Sequence, residues 1–175
     1  NKFGAENPSP LSANLVFEQS YHEIDGDSAS LTGLCALLSA LARQPISQRF
    51  AVTGAVDQFG NVQAVGGVNE KIEGFFRVCK IHGITGKQGI ILPGTNAQQL
   101  NLSDEVIAAV EAGQFHIHPV DHVEEAIELL TGCVAGEPDM PDTLFGRIQD
   151  RLDELNGTAP KSGVLRNLLG RLFGL

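Results

Sequence analysis

The chain reads as a mixed α/β domain, and three features carry that expectation. Long segments show apolar residues at helical spacing, short apolar runs bounded by turn residues alternate with them, and 20 glycines supply many tight corners. Hydrophobic residues make up 42% of the 175, enough for one core of ordinary size. The formal net charge of −9 argues against a binder of nucleic-acid phosphates, which would show a basic face. Cys35, Cys79 and Cys133 are odd in number and lack metal or redox spacing, so they read as reduced thiols of a cytoplasmic protein. No signal peptide and no membrane-length apolar run is visible, so no membrane partner is expected.

Residues 1–12 are polar and proline-bearing and read as a linker or a cut edge, residues 13–133 as the core domain, and residues 134–175 as a helical C-terminal extension. "NLVFEQSYHEI" looks extended and ends at the Asp25–Gly26 corner. From Ser28 to Arg43 the apolar positions Leu31, Leu34, Cys35, Leu37, Leu38 and Leu41 predict a helix, apolar enough all round to be wholly buried, which Pro45 ends. "RFAVTGAV" and "VQAV" predict two strands of a hairpin joined at "DQFGN", with Gly60–Asn61 available for positive φ. "VGGVNEKIEGFFRVCKIHG" turns at Gly66–Gly67 into a helix, with Asn69 as its cap and Gly83 as its stop. "QGIILPG" is a buried strand, "SDEVIAAVEAG" a helix capped at Ser103, "FHIHPV" a strand, and "HVEEAIELLTG" a helix closed by Gly132. "AGEPDMPD" is a linker, and amphipathic segments follow at 143–155 and 163–174. In the second, Val164, Leu165, Leu168, Leu169, Leu172 and Phe173 form one stripe, expected to pack on the domain itself or on a neighbouring subunit.

Chemistry concentrates at "IDGDSAS". Ser28 follows a glycine-softened corner at a helix start, where free backbone N–H groups and the positive end of the helix dipole would stabilise an oxyanion near its hydroxyl. The competing reading makes Ser28 or Asp27 simply the helix N-cap. A nucleophile also needs a base. His22 precedes Ser28, and Lys71 lies in the first turn of the "NEKIEGF" helix, where the dipole and partial burial disfavour its charged form. The competing reading pairs Lys71 with Glu70 or Glu73 on a solvated face. His116, His118 and His122 have a spacing that could hold a metal, but strand-end histidines more often serve as hydrogen-bonding groups, and no metal is expected. No G-x₄-G-K-[ST] occurs, since "GITGKQG" has the wrong spacing, so no cofactor is expected in this domain.

In order, "GDSAS", "FAVTGAVDQFGNVQAVGGVNEKIEGF", "GIILP" and "HIHPV" with its "VEEAIELL" helix resemble the C-terminal proteolytic domain of the Lon family, over about residues 15–132. "GDSAS" is similar to the nucleophile motif of the family's B-type members, where the A-type usually carries a proline before the serine. The resemblance implies the α/β fold known as ribosomal-protein-S5-domain-2-like, and a serine endopeptidase that degrades unfolded or damaged proteins through a Ser-Lys dyad. Carried over, Ser28 is the nucleophile, Lys71 the general base, Thr53 the hydroxyl that orients the lysine, and the amides of Ser28 and Ala29 the oxyanion hole. Asp25 and Asp27 take the acidic positions of the motif. A carboxylate beside the amine would favour its charged form and oppose activation, which implies a site held inactive until substrate or neighbouring subunits rearrange the loop. Many members carry an acid after V-T-G, where this chain has Ala55. The resemblance further implies a homo-hexameric ring and an ATPase module, with ATP and Mg, elsewhere in a longer protein. A catalytically silent Lon-like assembly module and a Ser-Lys amidase of small substrates are the alternatives.

Overall fold

The computed structural model of the chain describes residues 2–3, 12–16 and 26–157. The expected strand at 14–24 and the helix at 163–174 fall wholly or largely outside the described residues, as do Asp25 and His22. The elements are α1 (Ser30–Ala42), β1 (Phe50–Val52), β2 (Ala55–Val56), β3 (Val62–Gln63), α2 (Val68–His82), β4 (Gln88–Pro93), α3 (Gly94–Ala97), α4 (Asp104–Glu111), β5 (Phe115–Val120), α5 (Val123–Thr131) and α6 (Leu144–Leu155). The expected α/β class is therefore observed. The described residues divide into two compact units, one of residues 26–35 and 47–126, the other of residues 2–3, 12–16, 36–46 and 127–157.

The first unit is built on a three-stranded parallel sheet of order β1-β4-β5, with the antiparallel pair β2-β3 beside it in sequence. Parallel neighbours need long crossovers, and α2 and α4 supply them. β4 is buried from Gly89 to Pro93, which is why its sequence is a continuous apolar run and not an alternation. In α2, Val68, Ile72, Phe76 and Cys79 fall on one face and join Ile90, Leu92, Val106, Ala109 and Phe115 in the core. Phe76 meets Phe115 edge-on at 5.3 Å between ring centres. Ile72 is fully buried, and such a side chain contributes about 1.5–3 kcal/mol through apolar burial. This face fixes the rotation of α2 and hence the direction of its first turn.

Three local expectations are corrected. "RFAVTGAV" is not one strand of a hairpin: it breaks at Thr53–Gly54, leaving β1 in the parallel sheet and β2 paired with β3. Asn69 is not the cap of α2. Gly67, at φ 65, turns the chain into the helix, and Asn69 Oδ1 instead accepts the Asn101 N–H at 3.0 Å. Helix α1 is not buried all round: Leu31, Cys35, Leu38 and Ala42 are buried, while Ala36 and Ala40 are exposed. Alanine is compatible with either environment, so its abundance misleads. The end of α1 is set before Pro45, by Arg43 at φ 52, with Arg43 N–H on Ala40 C=O and Gln44 N–H on Ser39 C=O. Gly83 and Gly132 close α2 and α5 as expected.

In the second unit, Thr143 caps α6 by accepting the Gly146 N–H at 3.1 Å. Leu144, Phe145, Ile148 and Leu152 form its buried stripe, Phe3 stands edge-on to Phe145, and Glu128 Oε1 accepts the Ala135 N–H at 2.7 Å.

Burial pushes the Cys35 thiol up to about 12 and raises that of Cys79, whereas Cys133 is only half-buried. Thiolate, not thiol, reacts with disulfide reagents. In the native protein at mildly alkaline pH, Cys133 should react fast and the other two only after denaturation. Rapid native titration of all three thiols would contradict the placement of Cys35 and Cys79 in the core.

Candidate functional site

The strand break at Thr53–Gly54 is the centre of the site. Thr53 N–H stays with the parallel sheet, donating to Ile91 C=O at 3.0 Å, while Gly54 turns to the start of α1. Gly54 N–H donates to Ser28 C=O at 2.9 Å, and Gly54 C=O accepts Leu31 N–H at 3.1 Å. Two hydroxyls extend this seam: Ser30 Oγ accepts Val56 N–H at 3.0 Å, and Thr32 Oγ1 donates to Val52 C=O at 3.2 Å. Residues 28–32 are thus laced to residues 52–56 as if by a strand pairing.

The Thr53 side chain makes the second connection. It is the only polar side chain classed as buried among the described residues, at 5% exposure. Its hydroxyl accepts from Lys71 Nζ at 3.2 Å and donates to Ser28 C=O at 3.4 Å. The Lys71 amine, half-buried in the first turn of α2, is brought to the segment that holds the Ser28 turn. Among the described residues no hydrogen bond joins the Ser28 hydroxyl directly to Lys71, and no ion pair joins Lys71 to Asp27, which is exposed on the turn. The turn itself is closed by Ser30 N–H on Asp27 C=O at 2.8 Å. Neither the Ser28 nor the Ala29 amide donates to another described residue. Ala55, at the position where an acid was expected from the family pattern, is buried in β2 opposite Gln63.

Sequence reasoning missed Ser30, Thr32 and Gly54 as parts of this seam. Gly54 left a trace, since a glycine inside a strand pattern signals a close approach. A Cβ there would lie 2.9 Å from Leu31 Cδ2 and 3.2 Å from Val62 Cγ1.

The three histidines do not converge. His116 Nε2 donates to Gly86 C=O at 2.9 Å, and His122 Nε2 donates to Phe59 C=O at 3.1 Å while its Nδ1 accepts Glu124 N–H. His118 stands edge-on to Phe50 at 5.3 Å. Among the described residues no group of three potential ligands surrounds a metal position. Nor is any described helix long and apolar enough to cross a membrane.

The family model for the Lon protease (S16) C-terminal proteolytic domain matches residues 21–132. A Lon protease homolog of Haemophilus influenzae is 52% identical over 162 residues, 93% of this chain and 24% of that protein. One of Escherichia coli is 52% identical over 147 residues, 84% of this chain and 25% of the relative. An archaeal Lon protease of Methanocaldococcus jannaschii is 40% identical over 116 residues, 66% of this chain and 15% of that protein. The chain spans about a quarter of the length of the first two relatives.

Two measurements follow from this geometry. Gly54→Ala must displace the buried Leu31 side chain and with it the Ser28 turn, at a cost of about 1–3 kcal/mol in stability; a denaturant midpoint equal to wild type would contradict the close approach. Desolvation, then the neighbouring His116 and Arg49 charges, lowers the pKa of His118 below its ordinary 6.5. The folded state thus favours neutral imidazole, so its contribution is intact above about 6.5 and lost as pH falls through the lower folded value. The acid-side fall in melting temperature should be shallower in His118→Phe than in wild type; identical slopes would remove His118 as the cause.

The matched region takes in the whole seam from Ser28 to Lys71, and the chain belongs to the family of Lon C-terminal proteolytic domains.

Proposed function

We propose that the chain is the proteolytic domain of a serine endopeptidase in which Ser28 attacks and Lys71 is the general base. The observation that carries this reading is the Thr53 hydroxyl bridging Lys71 Nζ and Ser28 C=O. A neutral Lys71 donates one proton to Thr53 and keeps its lone pair for the proton of Ser28. As Ser28 Oγ bonds to the scissile carbonyl carbon, that proton passes to Lys71. The oxyanion that forms is met by the Ser28 and Ala29 amides, which have no other described partner. Lys71 then returns the proton to the leaving amine nitrogen as the C–N bond breaks. Water, deprotonated by the same amine, hydrolyses the acyl-enzyme. Asp27 is exposed on the turn, and the reading keeps it, with Asp25, as an acid that tunes Lys71 once substrate or neighbouring subunits rearrange the loop. Family membership supports unfolded or partly unfolded polypeptides as substrates, a homo-hexameric ring, and ATP-driven delivery with Mg by a module of a longer cytoplasmic protein.

The test combines a serine-reactive probe, short peptides and casein. Ser28→Ala should abolish labelling and lower peptide turnover by at least about 1000-fold. Its fold should survive, because a helix-start serine is worth only about 1 kcal/mol. Lys71→Arg should be inactive because a guanidinium cannot take up the Ser28 proton. Residual proteolysis in Ser28→Ala would remove the nucleophile assignment. Labelling and peptide cleavage with casein left intact would instead indicate an amidase of small substrates.

A further inference from the structure

Asn96 lies in α3, the single turn after β4, and no local sequence rule marks it out. Its side-chain amide pairs in both directions with one backbone residue. Oδ1 accepts Val65 N–H at 3.0 Å, and Nδ2 donates to Val65 C=O at 3.1 Å. The hairpin register explains why Val65 needs such a partner. Ala55 faces Gln63 and Val56 faces Val62, so two further residues of ladder would set Thr53 opposite Val65. Thr53 N–H instead joins the parallel sheet at Ile91 C=O, and the Asn96 amide takes the place of the missing strand.

We propose that Asn96 is the positioning residue for the Lys71–Thr53 pair. By satisfying Val65, it frees Thr53 to leave the hairpin with its hydroxyl toward Lys71. It also anchors the chain two residues before Gly67, whose carbonyl accepts the Lys71 N–H at 3.1 Å in the first turn of α2. Both ends of the Lys71–Thr53 hydrogen bond are therefore set through one side chain. The catalytic consequence rests on the Ser28–Lys71 reading; the geometric one does not.

Asn96→Ala and Asn96→Asp in the whole 175-residue chain test this. In Asn96→Ala, kcat per probe-titrated site on a short peptide should fall about 10- to 100-fold, with little change in KM and an altered pH profile. A purely structural role would lower the active fraction or the melting temperature and leave the pH profile per active site unmoved. Should Asn96→Ala fail to fold, Asn96→Asp keeps an acceptor for Val65 N–H but sets a carboxylate against Val65 C=O. Its melting temperature should approach that of wild type as acid restores a donor on the side chain. A crystal structure of either folded variant should show Lys71 Nζ beyond hydrogen-bonding distance of Thr53. Wild-type kcat and pH profile, with that bond intact, would overturn the proposal. An unsubstituted chain inert to probe and peptide would instead sink the Ser28–Lys71 reading, and the Lys71–Thr53 distance in the variant would still decide the role of Asn96.

Discussion

Two consecutive peptide groups that refuse to share a sheet organise this molecule. Thr53 N–H remains with β4, and Gly54 turns both its backbone groups to the first turn of α1. Were the strand continuous, Thr53 would sit in the hairpin ladder opposite Val65, and its hydroxyl would have no reason to meet both Lys71 and Ser28 C=O. A buried backbone cannot simply leave a ladder, because an unpaired N–H or C=O away from water costs about 1–3 kcal/mol. Thr53 N–H and both Gly54 groups find replacements in Ile91, Ser28 and Leu31, and both Val65 groups find theirs in Asn96.

The core decides whether this arrangement holds still. Lys71 precedes Ile72, which is fully buried, and helix α2 cannot rotate without lifting Ile72 and Phe76 off Ile90, Leu92 and Phe115. The half-buried amine is thus aimed by apolar contacts that carry no chemistry of their own. Packing sets the direction of the helix, and one buried hydroxyl sets the final contact.

The longer periodic segments were legible in the sequence: α2, α4, α5 and α6 and strands β4 and β5 lie close to where their patterns place them. The break in "RFAVTGAV" was not, because sheet membership is decided by partners as distant as Ser28 and Ile91. Asn69 met the rule for a helix cap, yet a left-handed glycine before it turned the chain and left its side chain for Asn101. At the site, the residues alone left Ser28 open between cap and nucleophile, and Lys71 between base and surface ion. The likeness of the ordered motifs to the Lon family singled them out. Asn96 had no signal at all, since an amide that stands in for a strand obeys no periodicity.

The seam between residues 28–32 and 52–56 has a consequence for how such a chain can drift. Every one of its links ends on at least one main-chain atom. Main-chain atoms are identical whatever side chain they carry, so the two links that are main-chain at both ends place no demand for a hydroxyl on the residues that make them. What cannot change freely is a glycine at 54, where a methyl group would strike Leu31, and the hydroxyls at 30, 32 and 53, whose links end on side-chain oxygens. Selection there has to guard a missing methyl group and a handful of oxygens.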